Sequence, residues 1–114
     1  MNKLFIVSAC ITLCLSNSVS AQDASSLQQK VSAAMKMDYR SKAEVARDAN
    51  RDPVQALSFM GLRDDMKVIE FLPAGQAWYT KILGPVLADK GELYLLDNAQ
   101  TFARWGDLLE HAAF

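Results

Sequence analysis

Apolar and polar positions follow three rhythms along this chain, and each rhythm predicts a different kind of element. Residues 4–15 are almost uniformly apolar, with Phe5, Ile6, Val7, Ile11 and Leu13 among them. Helical spacing follows: Leu27, Val31, Ala34 and Met35 share one face while Gln28, Lys30 and Lys36 lie off it, so an amphipathic helix is expected over 27–37. A compact apolar run at 66–72, broken by Glu70, reads as a strand. Helical spacing resumes at Trp78, Ile82 and Val86, and residues 92–96 read as a second strand that ends at Asp97.

Punctuation residues sharpen these boundaries. Ser26 with Gln29, Ser41 with Glu44, and Asp52 with Gln55 each fit a capping box, in which side chains satisfy the orphan amides of a helix start. They predict the 27–37 helix, a short charged helix over 42–48 and a third beginning at Pro53, where the missing amide would be unpaired anyway. Gly61 is placed to end that third helix in the left-handed conformation. Residues 21–26 read as a short mobile leader. Residues 73–77 form the turn after the first strand, Gly84 and Pro85 are expected to kink or restart the next helix, and Gly91 opens the second strand. A last helix is expected to start near Thr101, with Phe102, Trp105 and Leu108 at packing positions.

Strand, helix and strand at these lengths make a βαβ unit with parallel pairing, which points to an α/β fold of the doubly wound kind. Such sheets bind ligands at the carboxyl ends of their strands. The loop after Leu72 and the carboxylate of Asp97 are therefore expected to face one crevice.

The amino-terminal rhythm has another meaning. Lys3 followed by the 4–15 apolar stretch, then Ser16, Asn17 and Ser18, then Val19, Ser20 and Ala21, fits an export signal cleaved after Ala21. A membrane-spanning helix needs roughly 20 apolar residues to cross a core of about 30 Å, so this stretch is too short for an anchor. Val7, Ser8, Ala9 and Cys10 offer lipid attachment as a rival, with a short apolar run before Cys10. The expected organisation is a signal at 1–21, a helical leader at 22–62 and an α/β domain at 63–114, in a periplasmic or secreted protein.

Charge and chemistry narrow the function. Both cysteines, Cys10 and Cys14, fall inside the signal, which leaves no disulfide, thiolate metal site or cysteine nucleophile after cleavage. The part beyond residue 21 carries 11 basic and 13 acidic residues, a net charge of −2, so nucleic acid is a poor partner. Apolar residues make up 51% of the chain and charged ones 22%, which suits a globular domain. His111 is the single histidine and reads as a surface or packing residue; neither a serine–histidine triad nor a zinc cluster has enough parts. Gly75 alone does not make the Gly-x-Gly-x-x-Gly turn of a nicotinamide enzyme. Arg47, Asp48 and Arg51 read as a solvated face with ion pairs, Trp78 and Tyr79 as packing of the crossover helix, and Glu70 and Asp97 as either strand-end acids or ligand-binding acids.

The strings RSKAEVARDANRDPVQALSFMGL (40–62) and VIEFLPAGQAWYTKILGPVLADKGELYLLD (68–97) resemble a bacterial family of exported, predicted class I, S-adenosylmethionine-dependent methyltransferases. The shared features are spaced Arg, Arg-Asp and Arg residues before Leu-x-Phe-x-Gly, then Glu-x-x-Pro, a glycine-rich loop, Trp-Tyr-Thr and Ile-Leu-x-Pro. The resemblance implies a Rossmann-like methyltransferase fold with S-adenosylmethionine as cofactor. It places Glu70 and the loop Pro73, Ala74, Gly75, Gln76 and Ala77 at the cofactor's amino-acid end, Tyr79 at its border and Asp97 on the ribose hydroxyls. Asp97 lies 22 positions after Gly75, about the spacing expected of a ribose-binding acid. The resemblance also lets Arg47, Asp48 and Arg51 organise the leader against the domain.

Ala74, Gln76 and Ala77 depart from the family, standing where glycines are usual. The later strands of a methyltransferase sheet, which would carry the groups that act on a small-molecule or protein methyl acceptor, have no counterpart here. The expected protein is thus methyltransferase-like, weakly active or inactive, with an open sheet edge that favours self-association or a longer parent chain. The alternative is a non-catalytic exported binding or interaction protein that keeps part of the fold.

Overall fold

The computed structural model describes residues 19–111, with side chains from Ser26 onward. Most of the expected signal therefore lies outside the described residues, as do Cys10 and Cys14. The elements run α1 (Val19–Ala34), α2 (Lys42–Ala46), α3 (Asp48–Arg51), α4 (Pro53–Phe59), β1 (Lys67–Phe71), α5 (Thr80–Leu87), β2 (Glu92–Leu96), α6 (Ala99–Ala103) and a 3-10 turn, Leu108–Glu110.

The first helix corrects the expected cap at Ser26. α1 begins at Val19 and runs through Ser26, because residues 19–26 contain no glycine or proline to stop it. It closes earlier than expected: Lys36 and Met37 donate to Ala33 and Ala34 in tightened three-residue turns, and Arg40 Nη1 reaches back 2.8 Å to the Met35 carbonyl. Ser41 and Glu44 do form the complete capping box of α2. The charged helix then divides at Arg47, whose amide bonds the Glu44 carbonyl at 3.1 Å before α3 resumes. Asp52, with φ 36°, turns the chain into Pro53 and accepts from the Gln55 amide at 3.3 Å, while Gly61, with φ 72°, ends the turn after α4.

The two strands pair in parallel, Lys67 opposite Glu92 and Phe71 opposite Leu96. α5 crosses between them and packs on α1. Pro85 sits inside α5, which runs unbroken from Thr80 to Leu87, so the helix does not restart there. Proline has no N–H to give the carbonyl four residues earlier. That carbonyl, of Lys81, receives a hydrogen bond from the Tyr39 hydroxyl at 3.1 Å. Gly91 lets the chain re-enter the sheet, since a Cβ there would lie 2.6 Å from the Met66 carbonyl oxygen and 2.8 Å from Leu87 Cδ2.

One core joins leader and βαβ unit. Leu27, Val31 and Ala34 of α1 and Leu57 of α4 pack with Trp78 and with Ile82, Leu83, Val86 and Leu87 of α5. The boundary expected at residue 62 thus falls on a loop and divides no core. Val68 and Leu93 turn toward this cluster from the sheet, whereas Ile69, Phe71, Tyr94 and Leu96 alternate onto the other, exposed face. The molecule is a small α/β domain with a two-strand parallel sheet covered by helices on one side.

Candidate ligand-binding site

The loop after β1 takes its shape from three left-handed residues. Leu72 (φ 55°), Ala74 (φ 61°) and Ala77 (φ 50°) all occupy the region that favours glycine, while Gly75 does not. Ala74 and Ala77 therefore carry glycine-type backbone. The Leu72 amide still bonds the Leu96 carbonyl at 2.9 Å, so the turn begins directly from the sheet ladder.

Asp97 reaches this loop at one point, Ala74. Its Oδ2 accepts from the Ala74 amide at 3.3 Å and its Oδ1 from the Asn98 amide at 2.6 Å. The Asn98 amide bond first, with the Thr101 and Ala74 bonds behind it, holds the Asp97 carboxyl below its ordinary value. A carboxylate offers about four lone-pair sites, so capacity remains for a ligand hydroxyl.

Behind the loop, α6 and its following turn close one side. The Trp105 indole donates to the Ala74 carbonyl at 3.0 Å, and the Arg104 stem lies 3.5 Å from where a Cβ on Gly75 would stand. Ala77 is fully buried there, in a second cluster with Trp105 and Leu108. The loop's other side opens onto a cleft of about 810 Å³ between α3, α4 and β1. Glu70, Pro73, Ala74, Gly75, Gln76 and Tyr79 all line this cleft; Ala77 and Asp97 do not.

Among the described residues, Glu70 is the one carboxylate that lines the cleft. Burial pushes its pKa up from the ordinary 4.5, against the 2.7 Å hydrogen bond it receives from the Thr80 hydroxyl. Trp78 is a core residue, as its pattern predicts, and its indole donates to the Glu44 carbonyl at 3.0 Å. His111 stacks edge-on against Tyr39 with ring centres 4.8 Å apart. No group of three or more potential metal ligands occurs among the described residues, and none of their helices is long and apolar enough to cross a membrane.

Arg47 and Arg51 depart from the ion-paired face expected of them. Their sequence neighbours Glu44 and Asp48 are engaged elsewhere: Glu44 pairs with Lys81 at 2.7 Å, and Asp48 pairs with the buried Arg40 at 2.6 Å. Both arginines line the cleft instead, Arg47 donating to Gln76 Oε1 at 2.7 Å and Arg51 lying over the Trp78 ring at 4.7 Å. Spacing alone points each arginine to an acid three residues before it, and only the long-range pairing of those acids reveals otherwise. Comparison of the chain with protein-family models, with curated proteins and with solved structures finds no match.

Proposed function

We propose that this chain is an exported, methyltransferase-like module that binds S-adenosylmethionine at the loop after β1. One observation carries the reading: at the carboxyl ends of two parallel strands, a loop with glycine-type backbone is tied through the Ala74 amide to the acid that ends the neighbouring strand. The Rossmann-like assignment belongs to this proposal and rests on the same juxtaposition. Glu70 and residues 73–76 would hold the cofactor's amino-acid end, Tyr79 its border and Asp97 its ribose. When bound, the cofactor supplies an electrophilic methyl group. The chain's own residues bind and orient it; a small-molecule or protein acceptor would complete the reaction. Export is supported by Lys3 and the apolar stretch over 4–15.

Calorimetric titration of the full chain with S-adenosylmethionine and S-adenosylhomocysteine tests the proposal. Saturable binding of both is expected, with Asp97→Ala weakening it about tenfold or more, since a hydrogen bond to a charged group contributes roughly 1.5–3 kcal/mol. Absence of heat with either compound would remove the cofactor from the reading. A second reading, a non-catalytic exported binding protein, draws support from the apolar residues of the cleft and from an Asp97 already bonded to two amides. It predicts silence in the same titration.

A further inference from the structure

We propose that the cleft between α3, α4 and β1 is a binding site for an apolar molecule with a carboxylate head, the head held by Arg47 and Arg51. The cleft's volume of about 810 Å³ falls within the range of roughly 300–1,000 Å³ that small-molecule sites occupy. Leu57, Met60, Leu62, Val68 and Leu83 give it apolar walls. The inference goes beyond the cofactor reading and does not rest on it, although the two sites share the loop at 73–76.

Charge selects the ligand. Arg47 and Arg51 are one helical turn apart, the Arg51 amide bonding the Arg47 carbonyl at 3.1 Å, so both guanidinium groups project from one side of α3. Neither forms an ion pair among the described residues: Glu44 and Asp48, three residues before them, are held by Lys81 and Arg40, and Asp52 caps the Gln55 amide. Among the described residues the cleft holds one carboxylate, Glu70, which is bonded to Thr80 and whose pKa burial raises. The lining thus combines two cations that have no ion-pair partner among the described residues with one carboxylate. An apolar pocket of positive sign repels a cationic amphiphile and leaves the cations uncompensated around a neutral one.

Geometry favours a planar head. Arg51 sits 4.7 Å from the Trp78 ring centre and 5.8 Å from that of Tyr79, an arrangement that uses its face. Its N–H edge stays available for a bidentate carboxylate. Arg47 spends one donor on Gln76 and has others left. Aromatic stacking and the Gln76 bond hold both side chains in place before a ligand arrives, which lowers the ordering cost of binding.

The test uses the full chain with dodecanoate, dodecanol and dodecyltrimethylammonium below their aggregation limits, followed by calorimetry. Dodecanoate is expected to bind saturably at one site, with dodecanol and the cation at least tenfold weaker. Joint substitution Arg47→Gln and Arg51→Gln should weaken dodecanoate about tenfold or more and leave dodecanol unchanged. Met60→Asp is a second variant, at an exposed position of the lining where folding is not at risk; it should weaken dodecanoate more than dodecanol. Equal affinity for all three amphiphiles, no binding, or indifference to these substitutions overturns the inference. Failure of dodecanoate beside intact S-adenosylmethionine binding overturns this site alone, and the opposite pattern overturns the cofactor reading alone.

Discussion

At Ala74 and Ala77 the backbone adopts a conformation that a methyl side chain resists. A left-handed L-residue costs roughly 1–2 kcal/mol, while glycine's greater freedom in the unfolded chain returns about 0.5–1 kcal/mol. Ala74→Gly should therefore stabilise the protein by about 0.5–1 kcal/mol in urea denaturation. Ala77→Gly should come out near neutral, because the Ala77 methyl is buried against Trp105 and Leu108 and its loss costs roughly 0.8 kcal/mol. Equal gains at the two positions would show that burial does not separate them. Glu70 gives a pH-dependent counterpart. Its pKa in the folded protein lies above the ordinary 4.5, chiefly through burial, so the folded state holds the proton more tightly. Its contribution to stability is then fully present below that ordinary value and is lost as pH rises through the folded-state pKa. Glu70→Gln, which keeps an acceptor for Thr80, should be more stable than the parent at pH 7, and the gap should close as pH falls below 4.5. A gap unchanged by pH would remove burial of the charge as the cause.

Elements with several local signals in agreement were readable, and those decided by distant partners were not. The α2 cap, the Pro53 start, Gly61 and both strands each combine a pattern with a specific turn or cap residue. Ser26 carried a cap signal inside a segment with nothing to stop a helix, and the helix continued through it. Pro85 carried a break signal, yet α5 stays continuous, with the Lys81 carbonyl supplied by Tyr39 from a loop far earlier in the chain. No local rule links residue 39 to residue 81. The pairing makes a double-mutant prediction: Tyr39→Phe leaves the Lys81 carbonyl without that donor and should cost about 1–3 kcal/mol. Pro85→Ala restores an N–H to the same carbonyl, so Tyr39→Phe should cost less in that background, with a coupling on the order of 1 kcal/mol in thermal denaturation. Strict additivity of the two changes would mean that the hydroxyl does not stand in for the missing amide.

At the scale of the molecule, the contact between the loop and Asp97 was legible because strand ends in a βαβ unit converge, although Asp97 stays out of the cleft that the loop lines. The cleft was not, because its arginines are defined by where their neighbouring acids went. The same scale brings out an imbalance in the sheet. Parallel sheets are ordinarily covered on both faces, but here Ile69 is 70% exposed, Phe71 67%, Leu96 55% and Tyr94 49%, all on the face away from α5. They form cross-strand pairs, Ile69 with Tyr94 and Phe71 with Leu96, so the apolar surface is continuous toward the carboxyl ends. At the amino end, Lys67 and Glu92 already pair with each other at 2.8 Å. A symmetric contact between two copies sets a surface against itself, and any net charge on it would repel. This face carries a compensated ion pair beside its apolar patch, an arrangement compatible with self-docking, and among the described residues no further strand pairs with either edge. Sedimentation velocity of the full chain should show concentration-dependent association. Phe71→Lys, at an exposed position, should shift it toward monomer without changing the far-ultraviolet circular dichroism. Because association through the sheet edge uses backbone groups, it would survive that substitution; loss of association with Phe71→Lys therefore assigns the contact to the face.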